Sequence, residues 1–194
     1  VDSNREKMRV SADYLMSLLN DVLQMSKLES GETTLAHEPM DPYQMGEEIL
    51  TIVGQRSAES GVTLTFDEHS DQATDLWVYG SPLHLRQIFL NIYSNCIKYN
   101  KVGGSITTLF QMVEKDEKTV IYRWTISDTG IGMSEAFLEH IFDPFTQENT
   151  DARSVYQGTG LGMAIVKGLV EQMGGHIQVS SRVNVGSTFV VTLP

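Results

Sequence analysis

The spacing of apolar residues predicts a long helix at the start of the chain. Apolar positions recur at steps of three and four over residues 8–28, and Gly31 follows as the expected stop. The stripe consists of Met8, Ala12, Leu15, Leu19 and Val22, and Leu18 and Met25 widen it. A stripe this narrow is typical of a helix-bundle or coiled-coil seam, although the same pattern fits a helix packed on the domain's own core.

The remaining chain mixes helical and strand patterns. Helices are predicted over residues 43–60, 81–99 and 161–173, and Ser134 is expected to cap a further short helix. Strands are predicted over 62–66 and 76–79, and as hairpins over 105–128 and 176–193. Ser81 is expected to cap its helix, with Pro82 at the first helical position. The mixture of helices and antiparallel hairpins predicts an α+β class, and the polar segment 143–157 is long enough for a lid.

Composition and charge exclude several kinds of protein. Hydrophobic residues make up 41% of the 194 residues, so the chain is globular, and no apolar run is long enough to span a membrane. The net charge of -11 argues against a nucleic-acid partner. The single Cys96 excludes an internal disulfide, fits a reducing compartment and is expected to be a buried hydrophobe. Because the chain starts at Val1 and not at Met, we expect a piece of a longer protein.

Several catalytic motifs are absent from the sequence. The P-loop pattern, the dinucleotide-binding fingerprint and the H-R-D and D-F-G motifs of Ser/Thr/Tyr kinases do not occur. The histidines are scattered without the paired spacing of a zinc site.

Polar residues share one face of the helix that begins at Ser81. Asn91, Asn95 and Lys98 stand at i, i+4 and i+7. The Asn95 carbonyl oxygen is a hard ligand of the kind magnesium takes, Asn91 can assist through water, and Lys98 can offset phosphate charge. The same spacing also fits a polar face that merely meets solvent.

Two glycine-rich runs indicate backbone close to a ligand. Asp128 ends an apolar strand before glycines, where its carboxylate suits the exocyclic amine of adenine, although Asp-Thr-Gly is also a common turn. Gly158, Gly160 and Gly162 precede a helix, whose free N–H groups and dipole favour a phosphate. A flexible hinge is the other interpretation of these glycines.

Five motifs in order resemble one family. They are NIYSNCIKY (91–99), DTGIGM (128–133), FDPF (142–145), GTGLGM (158–163) and GST (186–188). Together they resemble the N, G1, F, G2 and G3 boxes of the ATP-binding domain of sensor histidine kinases, within the ATPase superfamily that includes Hsp90, gyrase and MutL. The resemblance implies a Bergerat-type two-layer α/β sandwich over 40–194. Residues 1–30 resemble the second helix of the family's dimerisation and phosphotransfer hairpin.

The resemblance also implies roles for individual residues. Asn95 would coordinate Mg²⁺ with help from Asn91, and Lys98 and Tyr99 would contact phosphate and ribose. Asp128 would bind the adenine amine, Gly130 and Gly132 would shape the adenine pocket, and Thr188 would support it through water. Phe142 and Phe145 would anchor the lid, and Arg153 would stand in it. The run that would present amides to the phosphates contains Gly158, Gly160, Leu161 and Gly162.

The family's usual phosphoacceptor motif, a histidine followed by Glu-Leu-Arg-like residues, is absent from the chain. The expected function is therefore a histidine kinase catalytic fragment that binds Mg-ATP but does not autophosphorylate alone. Its implied partners are an upstream phosphoacceptor helix, a response-regulator receiver domain and a second copy in a homodimer. The implied location is the cytoplasmic portion of a membrane-anchored bacterial sensor. A nucleotide-binding dimerisation or regulatory module without turnover is the alternative.

Overall fold

The computed structural model describes residues 2–68, 77–148 and 158–194. The helices are α1 (Asp2–Glu29), α2 (Pro42–Glu59), α3 (Pro82–Lys98), α4 (Glu135–Leu138) and α5 (Gly162–Gln172). The strands are β1 (Glu38–Met40), β2 (Thr63–Glu68), β3 (Val78–Gly80), β4 (Ser105–Lys115), β5 (Val120–Asp128), β6 (His176–Arg182) and β7 (Gly186–Leu193). No helix in these ranges has both the length and the apolar content that a bilayer crossing requires.

The strands form a five-stranded sheet in the order β2-β4-β5-β7-β6, and β1 pairs with β3 in a separate ribbon. Only β2 and β4 run parallel in the large sheet, and its other pairs are antiparallel. The predicted α+β class is therefore confirmed. Both predicted hairpins are present, as β4–β5 and as β6–β7.

The hydrophobic core lies between this sheet and helices α2, α3 and α5. Phe110 and Trp124 stack with ring centroids 4.7 Å apart, and Phe89 of α3 meets Trp124 at 5.0 Å. Ile126 is fully buried on the same strand as Trp124, as the alternation along that strand predicts. The fold is thus the two-layer α/β sandwich that the family resemblance implied.

Helix α1 ends where the sequence predicted, because Gly31 adopts a φ of +71° that favours glycine. The N–H of Glu32 donates to the Lys27 carbonyl at 2.9 Å, which closes the last turn. Leu28 of this helix lies against Gly168 of α5.

The apolar stripe of α1 does not pack on the core of this chain. Leu18, Met25 and Leu28 make the core contacts instead. Met8, Leu15, Leu19 and Val22 remain exposed, at 72%, 61%, 52% and 40%. Periodicity identifies a stripe but cannot say which surface will cover it. The proposed seam therefore stays a prediction, as do the domain limits 1–30 and 40–194.

The expected side-chain cap at Ser81 is wrong, although α3 does begin at Pro82. The Ser81 hydroxyl accepts the N–H of Ala36 at 3.1 Å and lies 2.7 Å from His84 Nδ1. It therefore makes no hydrogen bond to the free N–H groups of the helix. Ser134, in contrast, does cap α4 as predicted, by accepting the N–H of Phe137.

Candidate functional site

A cavity of about 380 Å³ lies beside α3, at the tip of β5 and at the start of α5. Its size is in the range usual for small-molecule sites. Nine residues predicted from the sequence line it: Asn91, Asn95, Lys98, Tyr99, Asp128, Gly132, Gly158, Gly160 and Gly162. Residues from three separate parts of the chain, chosen on three different arguments, thus meet at one cavity.

The polar face of α3 is turned into this cavity. The side-chain amides of Asn91 and Asn95 make no hydrogen bond to any described residue, so their oxygens are available to a ligand. A Cβ built on Gly162 would lie 3.4 Å from Asn91 Oδ1, which places Asn91 against the first residue of α5. The amide oxygens therefore stand next to the end of α5 that favours anions.

Lys98 lies over the second glycine run. A Cβ built on Gly158 would come within 2.8 Å of Lys98 Nζ. The same Nζ lies 4.6 Å from the centroid of the Tyr99 ring. The ammonium therefore stands between that ring and the glycine loop, where it can meet an anion.

Asp128 sits at the tip of β5 and is half-buried. Burial raises the pKa of its carboxyl above the ordinary value for an aspartate. Three hydrogen-bond donors to the carboxylate lower its pKa again, but by less than burial raises it. They are the N–H of Gly130, at 2.8 Å, the thiol of Cys96 and the N–H of Ser187. The carboxylate is therefore held in one orientation by the protein.

Cys96 is buried as predicted, at 1% exposure, but it is more than a small hydrophobe. Burial, and then the neighbouring Asp128 carboxylate, raise the pKa of its thiol well above the usual range. The thiol therefore stays protonated and donates a hydrogen bond to the Asp128 carboxylate. No pattern in the sequence joins these two residues, which stand on different elements.

Two of the glycines in the motifs are required by backbone geometry. Gly132 has a φ of +67°, and a Cβ there would fall 2.0 Å from the Arg182 carbonyl oxygen. Gly160 has a φ of +72°, and its Cβ would come 2.8 Å from the Phe145 carbonyl carbon. Any larger residue at these positions would force the backbone of neighbouring segments apart.

Three predicted residues lie beside the cavity and do not line it. Gly130 packs behind Asp128, where a Cβ would meet the Tyr99 carbonyl oxygen at 2.3 Å. The Leu161 side chain is fully buried. Thr188 follows the cavity residue Ser187 and has its hydroxyl 2.9 Å from Ser127 Oγ. Arg153 lies outside the described residues.

The two phenylalanines of the FDPF motif are placed differently. Phe142 packs against the core, and Lys167 Nζ lies 5.5 Å from its ring centroid. The Phe145 side chain is 65% exposed, but its N–H donates to the Gly160 carbonyl at 2.9 Å. Phe142 therefore anchors this segment by its ring, and Phe145 by its backbone.

The cavity also has lining residues that the sequence did not predict. Helix α1 contributes Tyr14, Ser17 and Asp21, and α2 contributes Arg56, which donates to Ser94 Oγ at 3.4 Å. The three α1 residues stand at i, i+3 and i+7, so they share one polar face of that helix. That shared face was the sequence feature from which they could have been predicted. No sequence pattern around Arg56 identifies it as a residue that lines the cavity.

The charges that line the cavity nearly balance. Among the described residues these are the carboxylates of Asp21, Asp128 and Glu148 and the cations Arg56 and Lys98. Within the same part of the chain, no three His, Cys, Asp or Glu side chains cluster in a way that would hold a metal. The lining residues that could hold a divalent cation are Asn95 and Asn91, whose amides carry oxygen ligands, and the bound molecule and water would supply the other ligands. Those amides fit magnesium, which prefers oxygen and keeps several waters.

Comparison with known proteins gives a consistent set of relatives. The profile of the histidine kinase-, DNA gyrase B-, and HSP90-like ATPase family matches residues 80–194. The circadian input-output histidine kinase CikA of Synechococcus elongatus is 35% identical over 184 residues, which are 95% of this chain and 24% of CikA. The signal transduction histidine-protein kinase BarA of Escherichia coli K12 is 36% identical over 92% of this chain and 19% of BarA. The chain thus spans about a quarter or less of the length of these curated relatives.

A solved structure resembles the whole chain. The crystal structure of full-length ShkA in complex with AMPPNP superimposes with a TM-score of 0.83 at 27% sequence identity. The match covers 100% of this chain and 38% of ShkA. It therefore includes α1 as well as the sandwich.

Proposed function

The chain belongs to the histidine kinase-, DNA gyrase B-, and HSP90-like ATPase family, as the five motifs predicted, and we propose that it is the catalytic part of a sensor histidine kinase. It binds ATP with Mg²⁺ in the cavity beside α3. The γ-phosphoryl group passes to an imidazole nitrogen of a histidine on an upstream helix of the full protein, so a P–O bond breaks, a P–N bond forms and ADP leaves. The phosphoryl group then passes to an aspartate of a response-regulator receiver domain.

The observation that carries this proposal is that Asn95, Asp128 and Gly160 line one cavity. An amide on a helix, a carboxylate at a strand tip and a glycine before a helix suit a metal, a purine amine and a phosphate respectively. Few small molecules combine these three chemistries, and ATP with magnesium does. Catalysis in such a site rests on positioning and on charge stabilisation.

The cavity divides into two ends in this proposal. Asp128 and Gly132 line the purine end, and Gly130, Cys96 and Thr188 lie behind these two residues. The phosphate end consists of Asn91, Asn95, Lys98, Gly158 and Gly160, together with the N–H groups of Leu161 and Gly162. Tyr99 would contact the ribose between them.

Magnesium is needed on electrostatic grounds. The described cavity lining has one more carboxylate than it has cations, so it does not by itself offset the charge of a triphosphate. When bound by Asn95 and Asn91, Mg²⁺ would neutralise part of that charge. Lys98 and the first N–H groups of α5 would neutralise more of it.

The rest of the signalling protein is inferred from the relatives, which include a sensor histidine kinase and a signal transduction histidine-protein kinase. The full protein would form a homodimer and would keep this part in the cytoplasm. It would phosphorylate a receiver domain. A nucleotide-binding module without turnover has no observation in its favour.

The direct test is calorimetric titration of the chain with ATP, with and without Mg²⁺. We expect magnesium to strengthen binding, and Asn95→Ala to lose about 10- to 100-fold in magnesium-dependent affinity, as usual when a metal site loses its support. Asn20→Ala is the matched control, because Asn20 is exposed on α1 and lies outside the cavity lining. Equal binding by Asn95→Ala and the wild type would overturn the assignment of the metal site.

Phosphotransfer is tested separately. The chain is mixed with the upstream phosphoacceptor helix of the full protein and with ATP labelled at the γ-phosphate. Labelled phosphohistidine is the expected product. Magnesium-dependent ATP binding without any labelled product would favour the non-catalytic module instead.

A further inference from the structure

A relay of hydrogen bonds joins α1 to the phosphate end. The Thr159 hydroxyl donates to Asp21 Oδ2 at 2.7 Å, across 138 residues of sequence. The same hydroxyl oxygen accepts the N–H of Leu161 at 3.3 Å. Asp21 thus fixes the direction of the Thr159 hydroxyl. That hydroxyl in turn accepts the hydrogen bond of a backbone N–H at the start of α5.

That N–H is one of the groups that a phosphate would use. Helix α5 runs over Gly162–Gln172, and its first N–H groups have no partner inside the helix. In the relay, the N–H of Leu161 faces a hydroxyl that is itself bound to a carboxylate. The Asp21 carboxylate, acting through the Thr159 hydroxyl, therefore uses an N–H group that could otherwise stabilise an anionic ligand.

The charge of Asp21 adds to this effect. Asp21 lines the cavity, and no described Lys, Arg or His forms a salt bridge with it. A triphosphate entering the phosphate end would therefore meet an uncompensated carboxylate. Like charges at short range in a partly buried site repel more strongly than they would in water.

Helix α1 is well placed to transmit a change at this point. Gln24 Nε2 donates to Gln87 Oε1 of α3 at 2.7 Å, and Leu28 lies against Gly168 of α5. Gln172 Nε2 of α5 donates to the Thr33 carbonyl at 2.6 Å. The helix that carries Asp21 is thus attached to both helices that form the phosphate end, so its position and that of the glycine loop are linked.

We propose that Asp21 is a positioning residue that holds Thr159 and the start of α5 in a closed arrangement, which the triphosphate must displace in order to bind. This inference rests on the proposed function, since it assumes that phosphates bind at this end. ATP binding and the placement of α1 then oppose each other at this contact. Because such coupling is reciprocal, a displacement of α1 would strengthen ATP binding by the same factor as ATP weakens the contact.

The test compares Asp21→Asn with the wild type by calorimetry, using Mg-ATP, Mg-ADP and adenosine. The amide keeps the shape and an acceptor oxygen but removes the charge. We expect Mg-ATP to bind about fivefold more tightly, the lower end of the usual coupling range, with a smaller gain for Mg-ADP and none for adenosine. The gain should shrink as salt is added, because it is electrostatic.

Asp13→Asn is the matched control. It removes the same charge from the same helix, but Asp13 is exposed and lies outside the cavity lining. Asp21→Ala is a second variant that removes both the charge and the acceptor for Thr159. Thermal unfolding of each variant verifies that the fold is intact.

Each outcome separates this inference from the proposed function. If the wild type fails to bind Mg-ATP, the proposed function falls. If the wild type binds and neither Asp21 variant gains affinity, or Asp13→Asn gains as much, the positioning role is wrong. An equal gain for adenosine and for ATP would also contradict it, because the change would not act at the phosphates.

Discussion

The purine end and the phosphate end of the cavity are built in different ways. At the purine end, Asp128 is fixed by donors from the loop after β5, from β7 and from the buried face of α3. At the phosphate end, side chains from α1, α2 and α3 meet the loop before α5. In the proposed function, base recognition is thus part of the domain core, whereas phosphate binding depends on how separate elements are arranged. The phosphate end is the one that a moving helix can regulate.

The largest expected effect comes from breaking the purine end. Asp128→Asn replaces a carboxylate acceptor by an amide whose N–H₂ faces the purine amine. We expect affinity for ATP and for adenosine to fall equally, by about a hundredfold, because hydrogen bonds to charged groups are worth about 1.5–3 kcal/mol. Calorimetry measures both ligands, with Asp13→Asn as the control. A loss confined to ATP would mean that Asp128 acts on the phosphates.

A smaller effect, with the opposite ligand dependence, is expected at the phosphate end. Lys98→Gln removes the ammonium that lies beside Gly158. We expect about tenfold weaker ATP binding and unchanged adenosine binding, since one charge-assisted contact to phosphate is lost. Lys101→Gln is the control, because Lys101 is exposed and lies outside the cavity lining. If adenosine binding falls as much as ATP binding, the two ends of the cavity do not recognise the base and the phosphates independently.

The smallest expected effect tests how the protein holds Asp128. Cys96→Ala removes a weak thiol donor worth about 0.5 kcal/mol, so we expect adenosine to bind about twofold more weakly at neutral pH. Cys96→Ser keeps a donor and should restore most of the affinity. Unchanged adenosine binding by Cys96→Ala would show that the thiol does not help Asp128 to bind the purine.

The pH dependence follows from the same contacts. Burial raises the pKa of Asp128, and binding needs its charged form, so affinity falls as pH falls through a value above that of an ordinary aspartate. Cys96→Ala removes a donor to the charged form, which raises the pKa of Asp128 further and moves the loss to higher pH. Asp128→Asn should show no such transition. Titrations over an acidic pH series measure all three proteins.

The sequence predicted the residues that single elements contribute to the cavity better than it predicted the contacts between elements, for a physical reason. Asn91, Asn95 and Lys98 share a helix face, and Asp128 ends a strand, so local periodicity was enough to place them. The contact of Asp21 with Thr159 joins residues 138 positions apart and depends on how α1 docks. Ser81 failed as a cap because the distant Ala36 N–H uses its hydroxyl. Tertiary contacts of this kind leave no local pattern.

The most direct test of the central claim is a crystal structure of the chain with Mg²⁺ and a non-hydrolysable ATP analogue. We expect one nucleotide in the cavity, with its purine amine on the Asp128 carboxylate and its metal on the Asn95 amide oxygen. The triphosphate should lie against Gly158 and Gly160, with the Asp21–Thr159 hydrogen bond broken. A nucleotide bound elsewhere, or bound here with its base turned away from Asp128, would contradict the account.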